Sequence, residues 1–328
     1  MRLVKHPVLC NYYVTYRCNA SCSFCDIWER PSPYIQLDNF RHNLLALKKL
    51  KVKVIDFTGG EPLLHRQIDV FCRMAKEMGF ITTLTTNTLL YPKWAEKLKG
   101  LVDMLHFSLD SAYKEKHDAS RGIACFDKLL ESIELAKSLG ERPDILFTVG
   151  SHNINELSIV YKKISLPNNL VLILNPLFEY NQLATNDLLD NVELEKLRNW
   201  GKKKLVYLNE AFVDLRIAGG NNVLDPVCKA ASSTIVISPE NKLILPCYHL
   251  GIEEYQIDNN LFELYTSQVI KSQIAKEGIL PGCEGCTINC YMQPSFAVEI
   301  NRYWFKALPS TLKYNFMKGT WKRLIFNG

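Results

Sequence analysis

A chain of 328 residues with 47% hydrophobic side chains buries a sizeable core, as one large domain or two ordinary ones, and is too apolar to stay disordered. A net charge of +5 spread over this length does not mark a nucleic-acid binder, and with no RNA-binding motif beside it no nucleic-acid partner is expected. No stretch reaches the length of a membrane span and the first residues lack a secretory apolar region, so the eleven cysteines point to metal ligation in a reducing, cytoplasmic compartment rather than to disulfides.

In chain order, strands are predicted at Val8 to Thr15, Val52 to Phe57, Ile81 to Thr85, Met104 to Leu109, Ile145 to Val149 and Leu170 to Leu174. Amphipathic helices are predicted between them, at Asp38 to Leu50, Gln67 to Met78, Pro92 to Lys99, Phe126 to Leu139 and Ile154 to Lys163. Such alternation argues for an α/β fold with a parallel sheet and helices outside, and six units are too few for a closed eight-fold barrel.

Just after the first predicted strand, Cys18, Cys22 and Cys25 form the string Cys-x-x-x-Cys-x-x-Cys. Three thiolates can hold three irons of a [4Fe–4S] cube and leave the fourth open to a small molecule and an electron transfer. The next cysteine, Cys72, stands far away; a zinc site with a distant fourth ligand is the competing reading. The run Thr58-Gly59-Gly60-Glu61-Pro62 ends the second predicted strand, and its glycines let backbone approach a ligand closely, although a lone Gly-Gly pair is also an ordinary turn. Asn87, Ser108 and Asp110 end later strands, where capping and turn roles compete with binding.

Residues 181–220 read as a charged, helical, solvated connection. Then Cys228 precedes the predicted strand Thr234 to Ser238, a turn at Pro239-Glu240-Asn241-Lys242, a second strand and Pro246-Cys247, with Cys283, Cys286 and Cys290 following. A hairpin flanked by cysteines with a later Cys-x-x-Cys can gather four thiolates round one metal centre, for which zinc is an equal candidate on spacing alone. Cys10, Cys72 and Cys125 lie in apolar runs and read as core thiols. From 301 to 328 no acidic residue occurs, while Arg302, Lys306, Lys313, Lys318, Lys322 and Arg323 alternate with aromatics. The favoured reading is a tail with packed aromatics and solvated charges; the sharper one is a peripheral membrane contact through 302–328.

Over residues 10 to 175 this pattern resembles the radical S-adenosylmethionine (SAM) family. Phe24 matches the aromatic before the third cysteine, Gly59 to Pro62 the Gly-Gly-Glu-Pro loop, Thr86-Asn87-Thr88 a Thr-Asn-Gly end, and Ser108-Leu109-Asp110 a Ser-Leu-Asp-Gly strand end. His117-Asp118 and Arg121-Gly122 follow in the expected order, and His117 and Asp118 read as structural. The resemblance implies a partial (β/α)6 TIM-like barrel over 1–180, with chemistry at the C-terminal ends of its strands. It implies Cys18, Cys22 and Cys25 as ligands of a [4Fe–4S] cluster whose open iron is chelated by SAM. Gly59, Gly60, Glu61 and Pro62 would hold the methionine end, with Asn87, Ser108, Arg121 and, more weakly, Asn153 near the ribose or carboxylate. Residues 221–300 resemble the small α+β SPASM/Twitch extension. With five cysteines in place of seven, one auxiliary [4Fe–4S] cluster is implied, ligated by Cys228, Cys247, Cys283 and Cys286, with Cys290 a fifth candidate that could replace one of them or remain a free thiol. Tyr291 and the Tyr248-His249 pair read as packing rather than as pocket lining. The implied activity is reductive cleavage of SAM and hydrogen abstraction for an oxidative or bond-forming modification of a peptide or small molecule. A reducing partner such as flavodoxin or ferredoxin would supply the electron. A lipid or membrane-associated substrate is the alternative, and a non-enzymatic iron–sulfur or zinc protein the alternative of another class.

Overall fold

The computed structural model describes residues 1–179, 183 and 185–320. Strands β1 (Leu9–Thr15), β2 (Val54–Gly59), β3 (Ile81–Thr86), β4 (Met104–Leu109), β5 (Asp144–Val149) and β6 (Leu172–Pro176) pair in that order, all parallel. They agree with the predicted strands to within a residue or two. Helices α1 (Leu37–Lys49), α2 (Ile68–Glu77), α3 (Tyr91–Leu98), α4 (Lys114–Arg121) and α5 (Phe126–Ser138) make the crossovers. The helical stretch before β6 runs as a 3-10 turn, a short α-helix and a π turn at Tyr161–Ser165.

Side chains alternate along each strand and so divide the barrel. Cys10, Tyr12 and Val14 face outward into the core under the helices, where Phe40 of α1 meets Tyr12 at 5.1 Å and stacks on Phe71 of α2 at 4.3 Å. The inner face is polar: the Thr83 hydroxyl bonds the Asp56 carboxylate, and Thr85 lies 3.3 Å from His106. Burial raises the Asp56 pKa to about 6 and lowers that of His106 to about 4.

The second half departs from expectation. The connection is not merely solvated: helices Asn191–Gly201 and Glu210–Ile217 bury Leu194, Leu197, Val213 and Leu215, and β7 (Val206–Tyr207) joins the sheet beside β6. The expected hairpin, β8 (Thr234–Ile237) and β9 (Lys242–Leu245), is not detached. β8 pairs in parallel with β1, Leu9 opposite Thr234, and β10 (Glu253–Gln256) closes the row, giving the order β10-β9-β8-β1-β2-β3-β4-β5-β6-β7. All four residues of β8 are buried, which a strand interior to a sheet requires.

The tail forms a helix, Arg302–Lys318, whose Tyr303, Ala307, Ser310 and Tyr314 are buried. Its lysines are not simply solvated, contrary to expectation. Lys313 Nζ donates to the carbonyls of Gly201 and Lys203, Lys306 pairs with Asp214, and Lys318 reaches the buried Asp144 at 3.0 Å. Phe305, Leu308, Leu312 and Phe316 remain exposed. Trp321, Lys322, Arg323 and Phe326 lie outside the described residues. Among those described, no helix is long and apolar enough to cross a membrane.

Candidate cluster sites

β1 ends at Thr15, and the loop beyond it carries Cys18, Cys22 and Cys25 across the C-terminal rim of the sheet. Backbone bonds to the end of α4 hold the loop: Ser21 N–H to the Arg121 carbonyl and Ser23 N–H to that of Ser120, each at 3.0 Å. The Trp28 indole donates to the Cys25 carbonyl at 2.8 Å. All three thiols are partly exposed, and burial pushes the pKa of Cys18 up to about 12 and that of Cys25 to about 11. Thiols held up in this way ionise when a metal takes up the charge.

The Gly-Gly-Glu-Pro loop packs directly on this segment. Gly59 has φ +140°, and a Cβ there would fall 2.0 Å from the Thr15 carbonyl oxygen; one at Gly60 would fall 2.2 Å from that of Arg17. The close approach these glycines permit is therefore to the cysteine loop itself, a role the sequence did not suggest. Glu61 is buried, and its carboxylate accepts from the N–H groups of Leu63 and Asn87 and from the Thr86 hydroxyl. Burial raises its pKa to about 7 against the pull of those bonds. Glu61 thus braces β2 to β3, and the buried Pro62 opens the turn behind it.

Asn87 donates to the Asn19 side chain at 2.8 Å, tying the end of β3 to the cysteine loop. Thr88, where the family pattern has glycine, adopts φ +71°. Ser108 is buried on the inner face of β4. Arg121 is paired with Asp110 at 2.8 Å, and its Nη1 lies 3.7 Å from the Cys22 sulfur, with its guanidinium over the Phe24 ring. His117 accepts from the Asp110 N–H and meets Cys125 at 3.3 Å, while Asp118 accepts from the N–H groups of Cys125 and Phe126 and so caps α5. The ligand atoms of His117, Asp118 and Cys125 lie within 4.8 Å of one another, but these bonds give all three a structural role, as expected for the first two. Asn153 spends its amide on the carbonyls of Asp110 and Thr148 and on the Gly150 N–H.

A second constellation lies in the cysteine-rich region. Cys228, Cys247, Cys283 and Cys286 line one cavity of about 390 Å³, shared with His249 and Tyr291. His249 and Tyr291 therefore line a pocket as well as pack. Cys290 is not in that lining; its electrostatic neighbours are Cys247 first and Asp56 of β2 next. The organising residue is Asn221, which the sequence reading missed. Its amide donates to the carbonyls of Gly278 and Cys283, and its Oδ1 accepts from the N–H groups of Val227 and Cys228. Its backbone N–H also bonds the Cys286 carbonyl at 3.0 Å. An asparagine after two glycines gives no motif that could have announced this. Arg216 was missed as well: its guanidinium donates to the carbonyls of Leu177 and Pro176, and Cys286 acts on it electrostatically. The two regions touch through Tyr13 of β1, which stacks on Tyr248 at 4.5 Å.

Known proteins resemble this chain in sequence over its first half and in fold over most of its length. Residues 12–162 match the Radical SAM superfamily. The chain is 33% identical over 163 residues to a probable GTP 3',8-cyclase of Saccharolobus islandicus, covering 48% of this chain and 52% of that protein. It is 28% identical over 166 residues to an AdoMet-dependent heme synthase of Methanosarcina barkeri, covering 49% and 48%. Such alignments span only a third to a half of the curated relatives' own length. A crystal structure of Streptococcus suis SuiB bound to S-adenosylmethionine superposes with a TM-score of 0.68 at 16% identity, covering 83% of this chain and 68% of that one, a likeness of fold. Residues 12–162 thus carry a radical SAM domain, and the likeness of fold extends over most of the chain.

Proposed function

We propose that this chain cleaves SAM reductively at a cluster held by Cys18, Cys22 and Cys25, and couples hydrogen abstraction to oxidation or bond formation through one auxiliary [4Fe–4S] cluster. The clusters supply the electron that splits SAM into methionine and a 5'-deoxyadenosyl radical, and the acceptor for an electron from the substrate. The chain's own residues do the rest. The Gly59 to Pro62 loop fixes the methionine end, Asn87 holds the cysteine loop in register, and Arg121 places a cation beside Cys22. Ser108 stands on the inner face of the barrel for the nucleoside.

The observation that carries the auxiliary centre is four thiols, Cys228, Cys247, Cys283 and Cys286, facing one cavity of about 390 Å³. Four cysteines can hold a cubane, and four sulfurs also close round a zinc ion at about 2.3 Å, a difference that the metal count decides. The polar inner face of the barrel, with Asp56, Thr83 and His106, suits a hydrogen-bonding substrate: a peptide or a polar small molecule. SuiB has also been crystallised with its precursor peptide, and the peptide reading draws on that fold likeness.

The test is anaerobic reconstitution, metal and sulfide counting, and assay for 5'-deoxyadenosine after addition of reductant and SAM. About eight irons per chain with deoxyadenosine supports the proposal. About four irons plus zinc would remove the auxiliary redox role. Iron without SAM cleavage, in the presence of candidate peptides, would favour a non-enzymatic metal protein.

A further inference from the structure

Two arginines stand beside the two sets of cysteines, and they differ in one respect. Arg121, next to Cys22, is neutralised by Asp110 at 2.8 Å. Arg216 is not neutralised by any carboxylate among the described residues. Its bonds run to neutral acceptors: the carbonyls of Leu177 at 2.8 Å, Pro176 at 2.9 Å and Thr287 at 3.4 Å, and the Asn289 side chain at 3.5 Å. Its Nε is buried without a hydrogen-bond partner. Asp214, two residues before it, pairs with Arg198 and Lys306. Cys286 acts on Arg216 electrostatically, and Thr287, whose carbonyl Arg216 bonds, is the next residue.

A partly buried guanidinium without a carboxylate is costly unless an anion faces it. A cubane held by four thiolates is such an anion, doubly negative when oxidised and triply negative when reduced. A fixed cation beside it favours the more negative form and so raises the reduction potential. We infer that Arg216 is a positioning residue for charge at the auxiliary centre, where its guanidinium raises the reduction potential. The inference rests on the auxiliary-cluster reading of Cys228, Cys247, Cys283 and Cys286. It gives that centre a bias toward accepting an electron. A cluster on these cysteines would take one electron from the substrate radical as its proton leaves to solvent, and a carrier of the flavodoxin or ferredoxin class would take that electron away.

The test is a potentiometric titration followed by electron paramagnetic resonance on the anaerobically reconstituted full chain, comparing wild type with Arg216→Gln and Arg216→Lys. The SAM cluster in the same sample is the internal reference. Arg216→Gln should move the auxiliary midpoint to a more negative potential and leave the SAM cluster in place, while Arg216→Lys stays near wild type. An unmoved midpoint in Arg216→Gln overturns the inference, as does an equal shift in both variants. If both variants lose the cluster, Arg216 serves as a carbonyl clamp and the inference also fails; loss in Gln with retention in Lys supports it. Zinc, or no second cluster, in the wild type refutes the underlying reading, and the metal count distinguishes that outcome from the others.

Discussion

Thr88 and Asn241 both hold a left-handed backbone, at φ +71° and +61°, and Thr88 stands where the pattern this chain resembles has glycine. They answer a glycine substitution differently. A β-branched residue in this region carries strain of roughly 1–2 kcal/mol. Thr88→Gly removes that strain but loses a buried methyl, some chain stiffness and the hydroxyl's local bond to the Asn87 carbonyl at 2.6 Å, terms that largely offset, so it should leave stability within about 1 kcal/mol of wild type. Asn241 uses its side chain across the fold: Nδ2 donates to the Ile257 carbonyl and Oδ1 accepts from Asn43 of α1, both at 2.7 Å in the interior. Asn241→Gly should therefore cost about 2–3 kcal/mol through two lost buried bonds, the Asn43 amide keeping only its bond to the Tyr12 hydroxyl at 2.9 Å. Urea midpoints of the two variants check the contrast, and a larger loss at Thr88 would refute it. His117 belongs at this scale too. It is fully buried, and burial lowers its pKa to about 4; Asp110 and Asp118 oppose that shift and Arg121 adds to it. Between about pH 6.5 and 4 the unfolded chain binds a proton that the folded chain refuses. Stability should fall with pH across that window by roughly 3 kcal/mol from this group. His117→Gln should flatten that part of the stability profile, and an unchanged slope would count against it.

At the scale of elements, the tail helix Arg302–Lys318 is part of the fold. Asp144, buried at the start of β5, receives the Tyr314 hydroxyl at 2.6 Å and Lys318 at 3.0 Å. Tyr314→Phe removes one bond and should cost about 1–2 kcal/mol. Lys318→Met leaves a buried carboxylate without its cation and should cost about 3 kcal/mol or more. Denaturant unfolding with unchanged slope and lowered midpoint would confirm both, and equal losses would argue against a charge role. Deleting residues 302 onward therefore tests folding before it tests membrane attachment. The elements also mark the limit of what the sequence showed. Strands β1 to β6 were legible because turns and amphipathic helices separate them. β8 was legible as a strand, but its place beside β1 was not: register across more than two hundred residues leaves no local trace. The same holds for the tail, where nothing in a run of lysines and aromatics says that Lys313 and Lys318 turn inward to carbonyls and a carboxylate.

For the whole molecule, the question is whether the chain's two cysteine groups form separable centres. The spacing of Cys18, Cys22 and Cys25 marked them as one group in the sequence. Cys228, Cys247, Cys283 and Cys286 were also singled out there, with Cys290 as the fifth candidate, but not the part of Asn221, whose bonds run to the backbone of three of the four. Cys228, Cys247, Cys283 and Cys286 line that cavity, and Cys290 lies outside the lining with Asp56 among its neighbours. Separate centres make separate predictions. Cys290→Ser should keep the wild-type iron content, about eight per chain, whereas Cys283→Ser should lose about four irons and retain the SAM centre. The Cys283 variant should still form 5'-deoxyadenosine from SAM, because Cys18, Cys22 and Cys25 are untouched, but turnover of a true substrate should stop without an acceptor for its electron. Iron and sulfide counts on both variants, with deoxyadenosine measured in the same samples, decide the matter. If Cys290→Ser lost iron as Cys283→Ser does, Cys290 would be a ligand and the cavity would not define the centre. If deoxyadenosine disappeared with Cys283, the aromatic contact of Tyr13 with Tyr248 would have to join the two sites into one cooperative unit.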